Sequence, residues 1–239
     1  MLNLMKLELK RNNMKTYIIA TAITCVIMLG FIFLFAYAPS VDPDPDLQLF
    51  AGYNNIISLF SILSMAVFAT LSAIMYTKFV IDEYKEKRAI LLFSYPIQRK
   101  KVMFAKLGVV FLFTLSAMIV SNLLSFGIFS VSETIAPLVD SPLTAQTLIR
   151  ALKVTIIMAI TAAGIGIIAT GIGFIKKSVP TTIVSAVLLS SLLCNIMFNT
   201  TNNVSNSDLA AILFMSVTVI AGALVAMLLM KKVTSMEVE

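Results

Sequence analysis

The chain has 239 residues, of which 59% are hydrophobic, and a formal net charge of +6. It contains no histidine, which removes the commonest general base and metal ligand from any proposed chemistry. Once the long apolar segments are assigned, too few residues remain for a separate soluble domain, so we expect one membrane domain over residues 1–239.

The residues before the first apolar segment predict an amphipathic elbow helix over positions 1–15. One face carries polar and basic residues and another carries apolar ones: Asn3, Lys6, Lys10 and Asn13 against Leu2, Met5 and Leu9. Such a helix would lie flat on the inner leaflet. The alternative is a basic tail that only helps to orient the protein.

Six stretches without Asp, Glu, Lys or Arg lie between Thr16 and Met230, each at least 22 residues long. A membrane-spanning helix needs about 20 apolar residues, so each stretch is long enough. A β-barrel would show short segments of alternating polarity instead. The sequence therefore predicts an all-α, polytopic membrane protein with spans at about 16–38, 52–79, 107–131, 154–175, 179–198 and 209–230.

The basic residues predict the orientation of these spans. If both termini are cytoplasmic, 16 of the 18 Lys and Arg residues lie inside, and the inner side carries +10 against −4 outside. This asymmetry explains the high pI without any nucleic-acid partner. Outside, Asp42, Asp44 and Asp46 could attract a cationic substrate or form a solvated loop. Arg150 and Lys153 could reach lipid headgroups or an anionic part of a substrate.

Two spans carry a mildly polar stripe along one helical face. The stripes have the same spacing of 4, 3, 4 and 3 residues. They consist of Asn54, Ser58, Ser61, Met65, Phe68 and Ser72 in the second span, and of Thr181, Ser185, Leu188, Leu192, Asn195 and Asn199 in the fifth. Either they form hydrogen bonds between packed helices or they face a substrate. In the fourth span, Gly166, Thr170 and Gly173 predict close helix packing.

The charge-free stretches contain no Asp, Glu, Lys, Arg or His, although ion-coupled transporters generally place such residues in the membrane. The chain also has no G-x-x-x-x-G-K-[ST] phosphate-binding loop, so it is not its own P-loop ATPase. Energy for transport, if used, must come from another protein.

The longest predicted inner loop, Lys78–Lys106, has charged residues around an apolar group, Ile90–Phe93, closed by Ser94-Tyr95-Pro96. An apolar group exposed in the cytoplasm indicates a binding partner.

The sequence resembles the permease subunits of ABC-2-type ABC transporters. In that family an elbow helix ends in a run like Glu8-Leu9-Lys10-Arg11. After the second span come an acidic-aromatic pair, an apolar run, a Tyr-Pro-Ile-x-Arg turn and a Lys that opens the third span. These elements match Glu83-Tyr84, Leu91-Leu92, Tyr95-Pro96-Ile97-Gln98-Arg99 and Lys106.

The resemblance implies half of an exporter in the bacterial cytoplasmic membrane. It would pair with a second permease, identical or related, and with two copies of an ABC ATPase that bind ATP and Mg²⁺, while this chain holds no cofactor or metal and is not an enzyme. Its cargo would be amphipathic or antimicrobial peptides, toxins or hydrophobic drugs. The implied coupling helix contains Glu83, Tyr84, Arg88, Ile90, Leu91, Leu92, Phe93, Tyr95, Pro96 and Arg99, and the two polar stripes would line the translocation pathway.

Two other functions are weighed against export. A non-transporting scaffold or immunity protein could use the same inner loop to hold a cytoplasmic partner. An intramembrane enzyme has little support, because the sequence shows no nucleophile–base pair.

Overall fold

The computed structural model of the chain describes residues 2–41, 52–84, 99–135, 138–139, 144–201 and 207–234. The helices in these ranges are α1 (Leu2–Arg11), α2 (Met14–Val41), α3 (Tyr53–Tyr76), α4 (Arg99–Ile135), α5 (Ala145–Lys176), α6 (Val179–Thr201) and α7 (Ser207–Thr234). A π-helical turn, Thr77–Ile81, continues α3.

Six of these helices, α2 to α7, are long and apolar enough to cross a membrane, and the described residues include no β-strand. This result confirms the prediction of an all-α protein with six spans. The helix α4 begins at Arg99, ahead of the predicted span start at 107. Its first turns are basic and precede the apolar segment.

The helices α3 and α4 pack antiparallel in a constant register. The hydroxyl of Tyr53 at the start of α3 lies 2.8 Å from Glu133 near the end of α4. At the opposite end, the hydroxyl of Tyr76 donates to the carbonyl oxygen of Leu107 at 3.0 Å. The two helices are therefore in contact near both ends of α3 and form one hairpin.

The helix α5 lies at the centre of the bundle and contacts α3, α4, α6 and α7. Its glycines allow this close packing: a Cβ atom at Gly166 would lie 2.9 Å from Ser72 Cβ of α3, and one at Gly173 would lie 2.8 Å from Thr182 Cβ of α6. Because glycine has no side-chain carbon, the helix backbones can approach closely at these positions. The packing role predicted for Gly166 and Gly173 is confirmed.

The helix α1 packs against the start of α4, where Met5 lies beside Gly108. Met5, Tyr17 of α2 and Val233 of α7 belong to one apolar cluster, so both ends of the described chain lie at the same end of the bundle. We call this end the basic end, because the lysine pairs at 100–101, 176–177 and 231–232 also lie there.

Two local predictions differ from the structure. The predicted elbow helix over 1–15 ends at Arg11, and its inward position is taken by Glu8, which is buried, whereas Leu9 is 40% exposed. The fourth span, predicted to begin at 154, belongs to a longer helix: α5 runs without interruption from Ala145 past Arg150.

Candidate coupling site at the basic end

Four charged side chains from three segments meet at the basic end, and we call Glu8, Arg11, Glu83 and Lys106 the ionic cluster. Lys106 Nζ lies 3.1 Å from Glu8 Oε2 and 2.5 Å from Glu83 Oε2. Arg11 Nη2 lies 3.1 Å from Glu8 Oε2 and also pairs with Glu83 Oε1. Two carboxylates and two cations thus alternate around a closed ring of ion pairs.

Burial makes this ring important for the local structure. The Lys106 side chain is fully buried, those of Glu8 and Glu83 are 10% and 18% exposed, and only Arg11 is about half exposed. A buried ammonium without partners would cost several kcal/mol, so Lys106 can occupy this position only while both carboxylates remain close. The ring therefore ties α1, the end of α3 and the start of α4 together.

The π-helical turn Thr77–Ile81 leads α3 into the ionic cluster. Its wider hydrogen bonding is shown by the amide of Asp82, which donates to the carbonyl oxygen of Thr77 at 2.8 Å. Phe79 and Val80 in this turn are fully buried. Single π-helical turns inside α-helices occur frequently at functional sites. Here the turn ends two residues before Glu83 and anchors the segment that carries it.

Tyr84 follows Glu83 and connects the ionic cluster to α5. Its ring packs edge-on against Phe174, with centroids 5.5 Å apart. Burial raises the pKa of the Tyr84 phenol above its usual range, and the nearby carboxylates of Glu83 and Glu8 raise it further. The phenol is therefore neutral at physiological pH, and the site gains no additional negative charge from it.

The predicted coupling residues fall only partly within the described chain. Glu83 lies in the ionic cluster, Tyr84 packs on α5, and Arg99 opens α4. The others lie outside the described residues: Arg88, Ile90, Leu91, Leu92, Phe93, Tyr95 and Pro96. Glu83, two positions before the segment 85–98, is thus held in the ionic cluster, and Arg99 follows that segment at the start of α4.

The polar stripe of α3 lies mostly inside the bundle. Ser58, Ser61, Met65, Phe68 and Ser72 are buried, whereas Asn54 is exposed. Ser72 faces Gly166 of α5. Ser72 thus contributes to helix packing, and a role of the stripe in translocation stays a prediction.

The polar stripe of α6 divides into a buried and an exposed part. Thr181 is partly buried, and Ser185 is buried with its hydroxyl 3.5 Å from the carbonyl oxygen of Ala169 on α5. The exposed part consists of Leu188, Leu192, Asn195 and Asn199. The Asn199 amide donates to Asn195 Oδ1 at 3.1 Å, so these two side chains form a polar pair on an open helix face.

The two stripes do not face each other. The helices α3 and α6 instead border an open groove of about 620 Å³ through other positions, and Asn195 is the predicted stripe residue that lines it. Other lining residues include Ile62, Ala66 and Thr70 of α3 and Ser191 of α6. Polar residues are favoured at helix–helix contacts as well as along pathways, so a polar stripe alone does not distinguish the two.

At the end opposite the ionic cluster lies a second buried carboxylate that the sequence analysis did not identify. Glu133 is 7% exposed. It accepts hydrogen bonds from the Tyr53 hydroxyl at 2.8 Å and from the Leu138 amide at 3.2 Å. Its partner Tyr53 is 80 positions away in sequence, so no local pattern pairs the two residues.

Among the described residues, no group of three or more His, Cys, Asp or Glu side chains is arranged to hold a metal ion. The carboxylates of the ionic cluster are neutralised by Lys106 and Arg11 instead. The ion pairs link three segments, because Glu8 and Arg11 lie on α1, Glu83 follows α3 and Lys106 lies on α4.

Comparisons with known proteins agree with this architecture. The family described as ABC-2 family transporter protein matches residues 4–192, from α1 into α6. The chain is also 32% identical over 192 residues to the uncharacterized protein YcbO of Bacillus subtilis (strain 168), covering 80% of this chain and 83% of that protein. No solved structure matches the chain significantly. With its six apolar helices and this match over most of its length, the chain belongs to the ABC-2 family of membrane transport proteins.

Proposed function

We propose that this chain is the permease subunit of an ATP-driven exporter, powered by a separate ABC ATPase. The observation that supports the proposal is the ionic cluster, which joins Glu83, shortly before the segment 85–98, to Lys106 of α4, the helix that begins directly after that segment at Arg99. A force applied to that segment would act on Glu83 and Lys106 and hence on α3 and α4 together. This is the mechanical property that a coupling segment needs.

In the proposed assembly the basic end faces the cytoplasm. The positive-inside bias favours this orientation, since the basic end carries the lysines of α1, α4, α5 and α7. Two ATPase copies, each with ATP and Mg²⁺, would bind there, and Ile90–Phe93 would insert into a groove on the ATPase. ATP-driven closure would then move α3 and α4 as one lever.

The open face of α6 is the proposed contact with the translocation pathway and with a second permease, identical or related. Asn195 and Asn199 are exposed, and polar side chains are costly against lipid hydrocarbon. The apolar surface around them, including Leu188 and Leu192, suits cargo with both apolar and polar parts. We therefore favour amphipathic or antimicrobial peptides, toxins or hydrophobic drugs as substrates. The α3 stripe would join the pathway only if α3 and α5 separate.

The proposal is tested by co-expressing the chain with ABC ATPases of the same genome and measuring co-purification, ATP hydrolysis and peptide uptake into proteoliposomes. The L91D/L92D variant should lose the ATPase and abolish ATP-dependent uptake, because two charges replace an apolar contact. V204D, which adds a charge between α6 and α7, is the matched control and should behave as wild type.

Two results would count against parts of the proposal. If L91D/L92D still co-purifies with the ATPase and still transports, the coupling segment is assigned incorrectly. If the chain binds a cytoplasmic partner but no ATP-dependent uptake of any candidate peptide or drug occurs, the scaffold or immunity function is favoured instead.

A further inference from the structure

A groove between α5 and α7 at the basic end combines an apolar surface with two lysines. It has a volume of about 510 Å³ and is lined by Ile168, Gly171, Ile172, Ile175, Val225, Leu228, Leu229, Lys231 and Lys232. The lining contains two cations and no acidic residue. We propose that this groove binds one anionic phospholipid, with an acyl chain along the apolar walls and the headgroup phosphate at the lysines.

The apolar part of the groove opens toward the surrounding membrane. Ile175 and Leu228 on its two walls are 68% and 65% exposed. Its floor lies where α5 and α7 approach closely, since a Cβ atom added at Gly171 would clash with Val225 Cγ1. The groove therefore presents a continuous apolar channel of the kind that an acyl chain occupies.

The lysines are held at the mouth of the groove by a fixed helix. Leu229 and Val233, on either side of them in sequence, are 3% and 0% exposed and pack in the apolar cluster of the basic end. Lys231 and Lys232 are exposed between these two anchors. Basic pockets between membrane helices on the cytoplasmic side are suited to anionic headgroups.

Two further lysines add positive charge next to the groove. Lys176 and Lys177 end α5 directly after the wall residue Ile175, and both are exposed. Lys177 adopts a left-handed conformation (φ 48°), which turns the chain away from α5 while its amide donates to the Phe174 carbonyl oxygen. The positive charge is thus concentrated at the ends of the two helices that form the groove. A zwitterionic headgroup would gain less from this charge than an anionic one.

This site is separate from the ionic cluster and independent of the proposed export function. Half of its walls come from α7, which lies beyond the matched family range of residues 4–192. If the lysines only extended to the membrane surface, phospholipid binding would show neither saturation nor dependence on the groove. Saturation and dependence on the apolar walls are therefore the properties to measure.

The test is native mass spectrometry of the full chain in detergent, titrated with phosphatidylglycerol or with phosphatidylcholine of the same acyl chains. We expect one saturable phosphatidylglycerol adduct per chain. Each basic residue contributes roughly fivefold to binding of anionic lipid, so K231Q/K232Q should weaken phosphatidylglycerol binding about thirtyfold and leave phosphatidylcholine binding unchanged. The matched control K100Q/K101Q removes two exposed lysines from the same end but outside the groove and should have no effect.

A second variant tests the apolar walls without changing the charge. I172W should fill the groove and weaken binding of both lipids. Equal binding of the two lipids by the wild type would overturn the proposal. The same conclusion would follow if K100Q/K101Q lost as much affinity as K231Q/K232Q, because a diffuse positive field would then explain the selectivity.

Discussion

Replacing Lys106 with Met should destabilise the protein strongly, even though the substitution lowers the net positive charge of the chain. Met keeps the length and the apolar stem of the side chain but removes the ammonium between Glu8 and Glu83. These two carboxylates are 10% and 18% exposed, and they would retain Arg11, which is half exposed, as their common cation. Removing one partner from a buried ionic group costs about 3–5 kcal/mol.

The measurement is the free energy of unfolding in mixed detergent micelles, with K101M as the matched control. Lys101 is exposed one and a half turns earlier in the same helix, so K101M should change the free energy by less than about 0.5 kcal/mol. If K106M and K101M have equal effects, the ionic cluster does not hold α4 in place.

A double-mutant cycle with E83Q separates the ion pair from loss of packing. E83Q alone leaves an excess of positive charge around Lys106, and K106M alone leaves an excess of negative charge. The combined K106M/E83Q variant is neutral again, with Glu8 paired to Arg11. Its destabilisation should therefore be about 1–3 kcal/mol smaller than the sum of the single effects. Additive effects would show that the two side chains act independently.

Three further substitutions test the helix packing and a buried hydrogen bond in the same unfolding assay. G173A should destabilise the protein by about 1–3 kcal/mol, because its Cβ would lie 3.1 Å from Thr182 Cα. The control G127A should be neutral or stabilising by up to about 1 kcal/mol, since no atom lies within 4 Å of its added Cβ. A neutral G173A would mean that α5 and α6 are less tightly packed than described. Y53F should cost about 1.5–3 kcal/mol, because it removes a hydrogen bond to the buried Glu133 carboxylate while the ring can keep its contact with Phe129; a cost near zero would place that carboxylate in contact with water.

The number and type of the helices follow from the sequence because the membrane imposes a simple rule. Each charge-free stretch is long enough to span the hydrocarbon core and must satisfy its backbone hydrogen bonds internally. The helix ends follow less directly. The helix α4 extends to Arg99 and α5 to Ala145, since charged and polar turns continue a helix once it reaches the membrane surface.

The ionic cluster could not be derived from local pattern. Glu8 and Lys106 are 98 positions apart, and each sits next to other charged residues in the sequence that remain exposed. Burial separates Lys106 from Lys100 and Lys101, and burial depends on how α1 packs across α4. The resemblance to a family pointed to Glu8, Glu83 and Lys106 as motif positions, but only the fold shows that these residues contact one another.

The polar stripes show a related limit of spacing analysis. A repeat of 4 and 3 residues correctly groups side chains on one helical face, yet it does not tell which neighbour that face meets. Ser72 meets α5 and Asn195 borders the open groove, although both were selected by the same repeat. The difference arises from the position of α5, which contacts Ser72 of the α3 stripe and Ser185 of the α6 stripe but not Asn195 at the groove.

The hairpin of α3 and α4 is joined by polar contacts at both ends, and this has a mechanical consequence. Lys106 and Glu133 lie about 40 Å apart along the single helix α4, at a rise of 1.5 Å per residue. Between them, Ser64 Oγ donates to Asn122 Oδ1 at 2.7 Å in the same register. Sliding of one helix along the other would break the contacts of Glu83 with Lys106, of Ser64 with Asn122 and of Tyr53 with Glu133 at once. Tilting of the two helices together would keep these contacts. A pull on the segment 85–98 should therefore tilt the hairpin as a rigid unit and move its opposite end, where Tyr53 and Glu133 lie.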